Sequence, residues 1–185
     1  AGKFDREMER RGSQTNAGTW VDWTYYHETL SNRGININTV IDFESDRMLN
    51  LILDEETFKS ELEVVKNERR MSVDDSVTGS MQEAMFGTAY RSHPYRWPTI
   101  GKMEHLENFT LEDVKAFYKR YYAPANATVV IVGNVQPADT LTQLAQAYGL
   151  LPDISAVDRS FLPSFSSLFF SLFFFLFLPF FFFFF

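Results

Sequence analysis

The stretch 54-DEETFKSELEVVKNERRMS-72 decides how this chain is read. It predicts one amphipathic helix. Asp54 is placed to cap the N-terminus, and Glu55 and Glu56 put negative charge in the first turn, where the helix dipole favours it. Phe58, Leu62 and Val65 recur at four- and three-residue spacing and share a face. Glu61 and Glu68 fall on that same face, seven residues or two turns apart, while Glu63, Lys66, Asn67 and Arg70 fall on the other side. Carboxylates among core-facing residues are costly unless paired, hydrogen-bonded or bound to a metal. The helix therefore poses the question of what Glu61 and Glu68 face.

Upstream of it, Phe4 and Met8 stand one turn apart in a segment that ends at Gly12, the mark of a helix C-terminus. From Ser13 to Leu30, Thr19, Val21, Trp23 and Tyr25 alternate with Trp20, Asp22, Thr24 and Tyr26, which predicts a strand. Ser31 to Gly34 is a predicted turn. Ile37, Val40, Ile41, Glu44 and Met48 mark a second helix, closed by Leu51 and Leu53.

Downstream, the pattern loosens over Asp74–Gly79 and returns to helix over Met81–Tyr90. Arg91 to Gly101 contains two prolines and is a loop. Thr110 and Asp113 open a further helix in capping-box fashion, with Phe109 able to staple onto Val114 and with Val114, Phe117, Tyr118 and Tyr121 as its apolar face. Pro124 ends it. Ala127 to Val132 reads as a buried strand stopped by Gly133, and Pro137 to Tyr148 as a last helix capped by Gly149. This order predicts an α+β fold with helices packed on a mixed, largely antiparallel β-sheet.

At 185 residues the chain is long enough for one domain with a real core. A formal net charge of −7 with no basic stripe excludes a nucleic-acid binder. The lack of cysteine excludes disulfides and thiolate metal sites. The chain opens on AGKFDREMERRG without a methionine and in helix-forming sequence, so it reads as a piece whose start lies upstream. From Ser160 to Phe185 it uses only Phe, Leu, Ser and Pro, the residues encoded when both leading codon bases are pyrimidines. A pyrimidine-rich nucleotide tract read through accounts for that better than a membrane span, given Pro163, Pro179 and near-exclusive Phe. The expected organisation is a truncated domain over 1–157 and a low-complexity, artefactual tail over 158–185.

Several pieces agree in order with one family: FDREMERRGSQTNAGTWVDWTYY, ESDRM, ELEVVKNERRM, HPYRWPTIG and NFTLEDVKAFYKRYYAPANATVVIVGN. From Ala1 to about Val157 the chain resembles the pitrilysin or insulinase-type zinc metallopeptidases, in their mitochondrial-processing-peptidase-like branch. The resemblance implies that branch's domain fold and an endopeptidase that hydrolyses extended peptides with metal-activated water. In that family an inverted HxxEH motif supplies two histidine ligands and a glutamate base. By its position in ELEVVKNE, Glu68 corresponds to the third zinc ligand and Glu61 to an acidic position that supports the site. Two histidines, a carboxylate and an open position suit a hydrolytic zinc. Asn16 and Ala17 correspond to the strand along which a peptide substrate adds. A second homologous domain or subunit would close the chamber, and a bacterial periplasmic or secreted location is favoured.

The chain departs from the family pattern in having no HxxEH. Its histidines are His27, His93 and His105, which lack metal-ligand spacing, and HETL at 27–30 is not HExxH because residue 31 is serine. The motif is expected shortly before Ala1, so this chain carries no catalytic glutamate and is expected to be inactive by itself. Read on pattern alone, His27 is a surface or sheet-edge residue, His93 is structural and His105 is solvated. Asn16 merely starts a strand, Arg47, Arg69 and Arg70 are surface or salt-bridging groups, and Glu68 pairs with a neighbouring base. The alternative function is a non-catalytic subunit of the same family that recognises substrate or aids assembly.

Overall fold

In a computed structural model, the structure describes residues 3–31, 37–149 and 151. The predicted turn at Ser31–Gly34 falls almost wholly outside the described residues, as does the 158–185 tail. Two strands and seven α-helices are described: α1 (Lys3–Arg10), β1 (Gln14–Thr19), β2 (Thr24–Thr29), α2 (Ile37–Asn50), α3 (Glu55–Arg69), α4 (Val77–Ala89), α5 (Met103–Glu107), α6 (Leu111–Tyr121) and α7 (Pro137–Tyr148). A π-helical turn covers Arg70–Asp74, and 3-10 turns cover Pro94–Arg96 and Pro124–Asn126. The class is α+β, with β1 and β2 forming an antiparallel two-stranded sheet.

The chain divides into two compact units. One comprises α1, the base of the hairpin, α2 and the described residues from Lys119 onward. Its core forms around Met8 and Val40, with Phe4, Leu30 and Phe43 packed against them. Full burial of Met8 contributes about 2 kcal/mol. The end of α1 is fixed by local chemistry. Gly12 takes φ +80°, where a side chain is strained, and the Ser13 and Gly12 amides return to the Met8 and Glu9 carbonyls at 3.0 and 2.8 Å. α2 lays Val40, Ile41, Glu44, Ser45 and Met48 inward and packs against α7. Leu51 and Leu53 lie past its end.

The other unit comprises the hairpin tip, α3, the π turn, α4, α5 and α6 to Tyr118. Ser76 caps α4, its hydroxyl accepting the Gly79 amide at 3.2 Å, so that helix begins before the predicted Met81. α4 crosses the π turn so closely that a Cβ on Gly79 would stand 1.9 Å from the Ser72 carbonyl oxygen. The Phe109 ring stands 6.5 Å from that of Phe58 on α3. Thr110 and Asp113 cap α6 reciprocally: the Thr110 amide donates to Asp113 Oδ2 at 3.0 Å, and the Asp113 amide to Thr110 Oγ1 at 3.2 Å.

Two strand expectations are corrected. Ser13–Leu30 is a hairpin, not one strand: the Trp20 amide donates to the Trp23 carbonyl at 2.9 Å and turns the chain over Val21 and Asp22. The tip is held by the Tyr95 hydroxyl, which donates to the Asp22 carboxylate, and that bond pushes the Tyr95 phenol up. Ala127–Val132 is not a strand; among the described residues it makes a bridge only at Thr128, and Val132 is exposed. A β-branched run becomes a strand only when a neighbour completes its ladder.

Candidate functional site

α3 is built by its own side chains. The Thr57 amide donates to Asp54 Oδ1 at 2.8 Å, and this cap holds the Asp54 carboxyl below its usual range. Lys59 pairs with Glu55 at 3.3 Å, Lys66 with Glu63 at 2.8 Å, and Arg70 donates to Asn67 at 2.6 Å. Glu61 and Glu68 are left out of this pairing. Both are exposed and make no ion pair with a described residue, so Glu68 does not pair with a neighbouring base.

Their position corrects the expectation that they lie among core-facing residues. Phe58, Leu62 and Val65 are half-buried, and the buried residue that completes their stripe is Arg69. At about 100° per residue, Glu61 and Glu68 stand roughly 70° and 90° round the helix from the centre of that stripe, on its flank. They present two carboxylates, two turns apart, to the outside of this unit.

Arg69 anchors the helix end beside Glu68. Its Nη2 meets Asp74 at 3.0 Å, and its Nη1 meets Glu83 of α4 at 2.7 Å and the Gly101 carbonyl at 2.9 Å. The π turn begins at the next residue, a departure from α geometry that recurs at functional sites. Arg69 is salt-bridging, as its pattern predicts, but enclosed rather than on the surface. Its place four residues after Val65, on the inward stripe, was the signal for burial.

The histidines stay separate from these carboxylates in role. His27 stacks on Tyr25 in β2, with ring centroids 5.7 Å apart. His93 caps the Pro94–Arg96 turn by accepting the Tyr95 amide at Nδ1, 3.2 Å away. His105 is exposed, its ring 5.4 Å from that of Trp97. Among the described residues no three His, Cys, Asp or Glu side chains gather to hold a metal ion. These residues therefore do not fit a zinc site by themselves, and Glu68 offers at most one ligand to such a site.

Asn16 and Ala17 lie exposed on β1. The Trp20–Trp23 closure sets Ala17 opposite Tyr26, and the alternation of an antiparallel ladder turns the Ala17 N–H away from β2. There it donates to its neighbour's Asn16 Oδ1 at 2.8 Å. No third strand among the described residues lies beside β1.

Comparison with known proteins finds one family and several relatives. Residues 108–167 match the family described as "Peptidase M16 inactive domain". The chain is 40% identical over 135 residues to the zinc protease PqqE of Helicobacter pylori, covering 73% of this chain and 30% of that protein. The solved structure of a protease from Helicobacter pylori superposes with a TM-score of 0.80 at 36% identity, over 85% of this chain and 38% of that one. The first half of the periplasmic protease PqqL from Escherichia coli shares the fold, with a TM-score of 0.72 at 21% identity, over 86% of this chain and 35% of that one. The chain thus spans well under half the length of these relatives.

Proposed function

This chain belongs to the pitrilysin/insulinase-type (M16) family of zinc proteases, and we propose that it carries the Glu68 leg of that family's zinc site, with Glu61 as its support. The observation that supports the reading is the state of α3: Lys59, Lys66, Arg69 and Arg70 are all engaged elsewhere, while Glu61 and Glu68 stand exposed and free of described ion pairs. A surface helix gains little from holding two carboxylates ready in this way, whereas a ligand must be available to the metal. The enzyme to which this domain contributes is an endopeptidase of extended peptides, with a mitochondrial-processing-peptidase-like domain over 1–157. This stretch alone, with one ligand and no HxxEH glutamate, is inactive. The family's other two ligands and its base come from an HxxEH motif, which residues 1–185 do not contain.

The substrate adds as a strand along β1, where its carbonyl takes the outward Ala17 N–H in place of Asn16 Oδ1. The partner is a second homologous half, by likeness to the relative whose solved portion is a first half, and the location is periplasmic, as for that relative, or secreted. No helix among the described residues is long and apolar enough to cross a membrane. The description "inactive domain" for the match over 108–167 favours a second reading, a non-catalytic subunit that recognises substrate. Reading the coding sequence ahead of Ala1 separates the two. An intact HxxEH supports the peptidase; substitution of its histidines or glutamate overturns it in favour of the subunit.

A further inference from the structure

Inside the unit built on α1, α2 and α7, two carboxyl groups from different elements meet. Glu44 of α2 is 4% exposed, and its Oε2 takes Arg47 Nη2 at 2.5 Å. Its Oε1 is shut from solvent and receives no hydrogen bond from a described donor. Glu28 of β2 comes within hydrogen-bonding reach of that carboxyl, and its Oε2 is likewise shut from solvent without a described donor. As two carboxylates, these groups would set acceptor against acceptor where water cannot intervene. One proton removes the conflict: Glu28, as a neutral acid, donates O–H to Glu44, and Glu44 keeps its other oxygen on Arg47.

The surroundings hold the arrangement in place. The Arg47 guanidinium lies 4.2 Å from the Tyr26 ring and 4.9 Å from the Phe4 ring, so it is packed as well as paired. The Tyr26 and Tyr122 hydroxyls are hydrogen-bonded at 2.7 Å. Tyr148 of α7 faces the same cluster. Burial pushes both Tyr26 and Tyr148 up, so neither phenol adds charge. Among the described residues, the charged and titratable groups around the pair are Arg47, Tyr26, Tyr122 and Tyr148, with Arg47 as the cation facing two acids.

We propose that Glu28 and Glu44 share one proton through neutral pH and form an alkaline-sensitive latch between β2 and α2. Burial, then the charge of Glu44, push Glu28 up to about 8 from an ordinary 4.5. Between those values the folded unit keeps a proton that the unfolded chain has released. The stability that the pair supplies is whole below 4.5, falls as pH rises from there, and is lost above about 8.

The test is a carboxyl-carbon NMR titration of the intact protein, with denaturant unfolding from about pH 6 to about pH 9 for wild type and Glu28→Gln. One glutamate carboxyl signal is expected to titrate above neutrality and to vanish in Glu28→Gln. The variant, whose amide donates to Glu44 at every pH, is expected to lose the alkaline fall in stability. If every glutamate signal titrates in the ordinary acid range, or if Glu28→Gln keeps the wild-type alkaline slope, the shared proton is ruled out. The titration decides the matter on wild-type protein even if the variant does not fold.

Discussion

Arg69 reaches from the last turn of α3 to Glu83 in α4, with 2.7 Å between Nη1 and Oε2, and the guanidinium is almost wholly enclosed. It also holds Asp74 and the Gly101 carbonyl, so one side chain ties α3, the π turn, α4 and the approach to α5. Removing a buried cation strands its carboxylates, which costs far more than the pair itself contributes. Arg69→Met is expected to destabilise the protein by about 3 kcal/mol, read from the urea midpoint. Arg69→Lys keeps the charge but not the fork, and is expected to recover only part of that loss. Equal stability of Arg69→Met and wild type would show that the clamp contributes nothing.

Glu68 is the neighbour of that clamp and its energetic opposite. Because it is exposed and makes no ion pair with a described residue, Glu68→Gln is expected to change stability by less than about 0.5 kcal/mol. In the intact protein the same variant is expected to abolish zinc retention and peptide hydrolysis, because a charged ligand is lost. Glu61→Gln is expected to lower activity less, as a change to a supporting group. Metal analysis beside thermal unfolding separates these effects. Zinc bound at full stoichiometry by a folded Glu68→Gln protein would remove Glu68 from the site.

What could be read from the sequence was local. The Asp54 cap, the Gly12 terminus and the Thr110–Asp113 box each lie within a few residues of the atoms they satisfy, and each forms as read. No glycine, proline or asparagine marks Trp20–Trp23, so the sequence predicts one strand where the structure has a hairpin, whose tip is held by Tyr95, far along the chain. Ala127–Val132 has strand composition, but a strand also needs a partner, which composition does not supply. Periodicity places Glu44 on the core-facing stripe of α2, yet nothing in that stripe names Glu28 as its counterpart. Periodicity places Glu61 and Glu68 on the face of Phe58, Leu62 and Val65 but does not separate a stripe from its flank, where both stand exposed. Their assignment to zinc rests on resemblance to a family, not on the pattern.

Ala17 offers a test of strand addition that spares the fold. Its N–H points away from β2 and meets only the Asn16 side chain among the described residues, so proline at this position removes no ladder bond. In the intact protein, Ala17→Pro is expected to weaken peptide binding by about 1 kcal/mol, several-fold in Kd, through loss of one donor. Far-UV dichroism should match wild type. Unchanged peptide affinity in a folded Ala17→Pro protein would place the substrate elsewhere than along β1.

The helix caps give the protein an acid limit of a different origin from the Glu28 latch. Hydrogen bonds from Thr57 hold Asp54 below its ordinary value of 3.8, and those from Thr110 do the same for Asp113. For such groups the folded state binds the proton more weakly than the unfolded chain. Their contribution is therefore complete above 3.8 and falls away as pH drops below it, through each group's own lowered value. Asparagine caps a helix without titrating, so Asp54→Asn is expected to make the acid limb of the unfolding profile shallower while leaving the alkaline limb unchanged. Glu28→Gln is expected to do the reverse. Sites this far apart in sequence and held by separate partners should add, and the double variant should flatten both limbs. Stability measured against pH for the four proteins tests this. A steeper acid limb in Asp54→Asn, or an alkaline limb that moves with it, would mean that the cap and the latch are not independent.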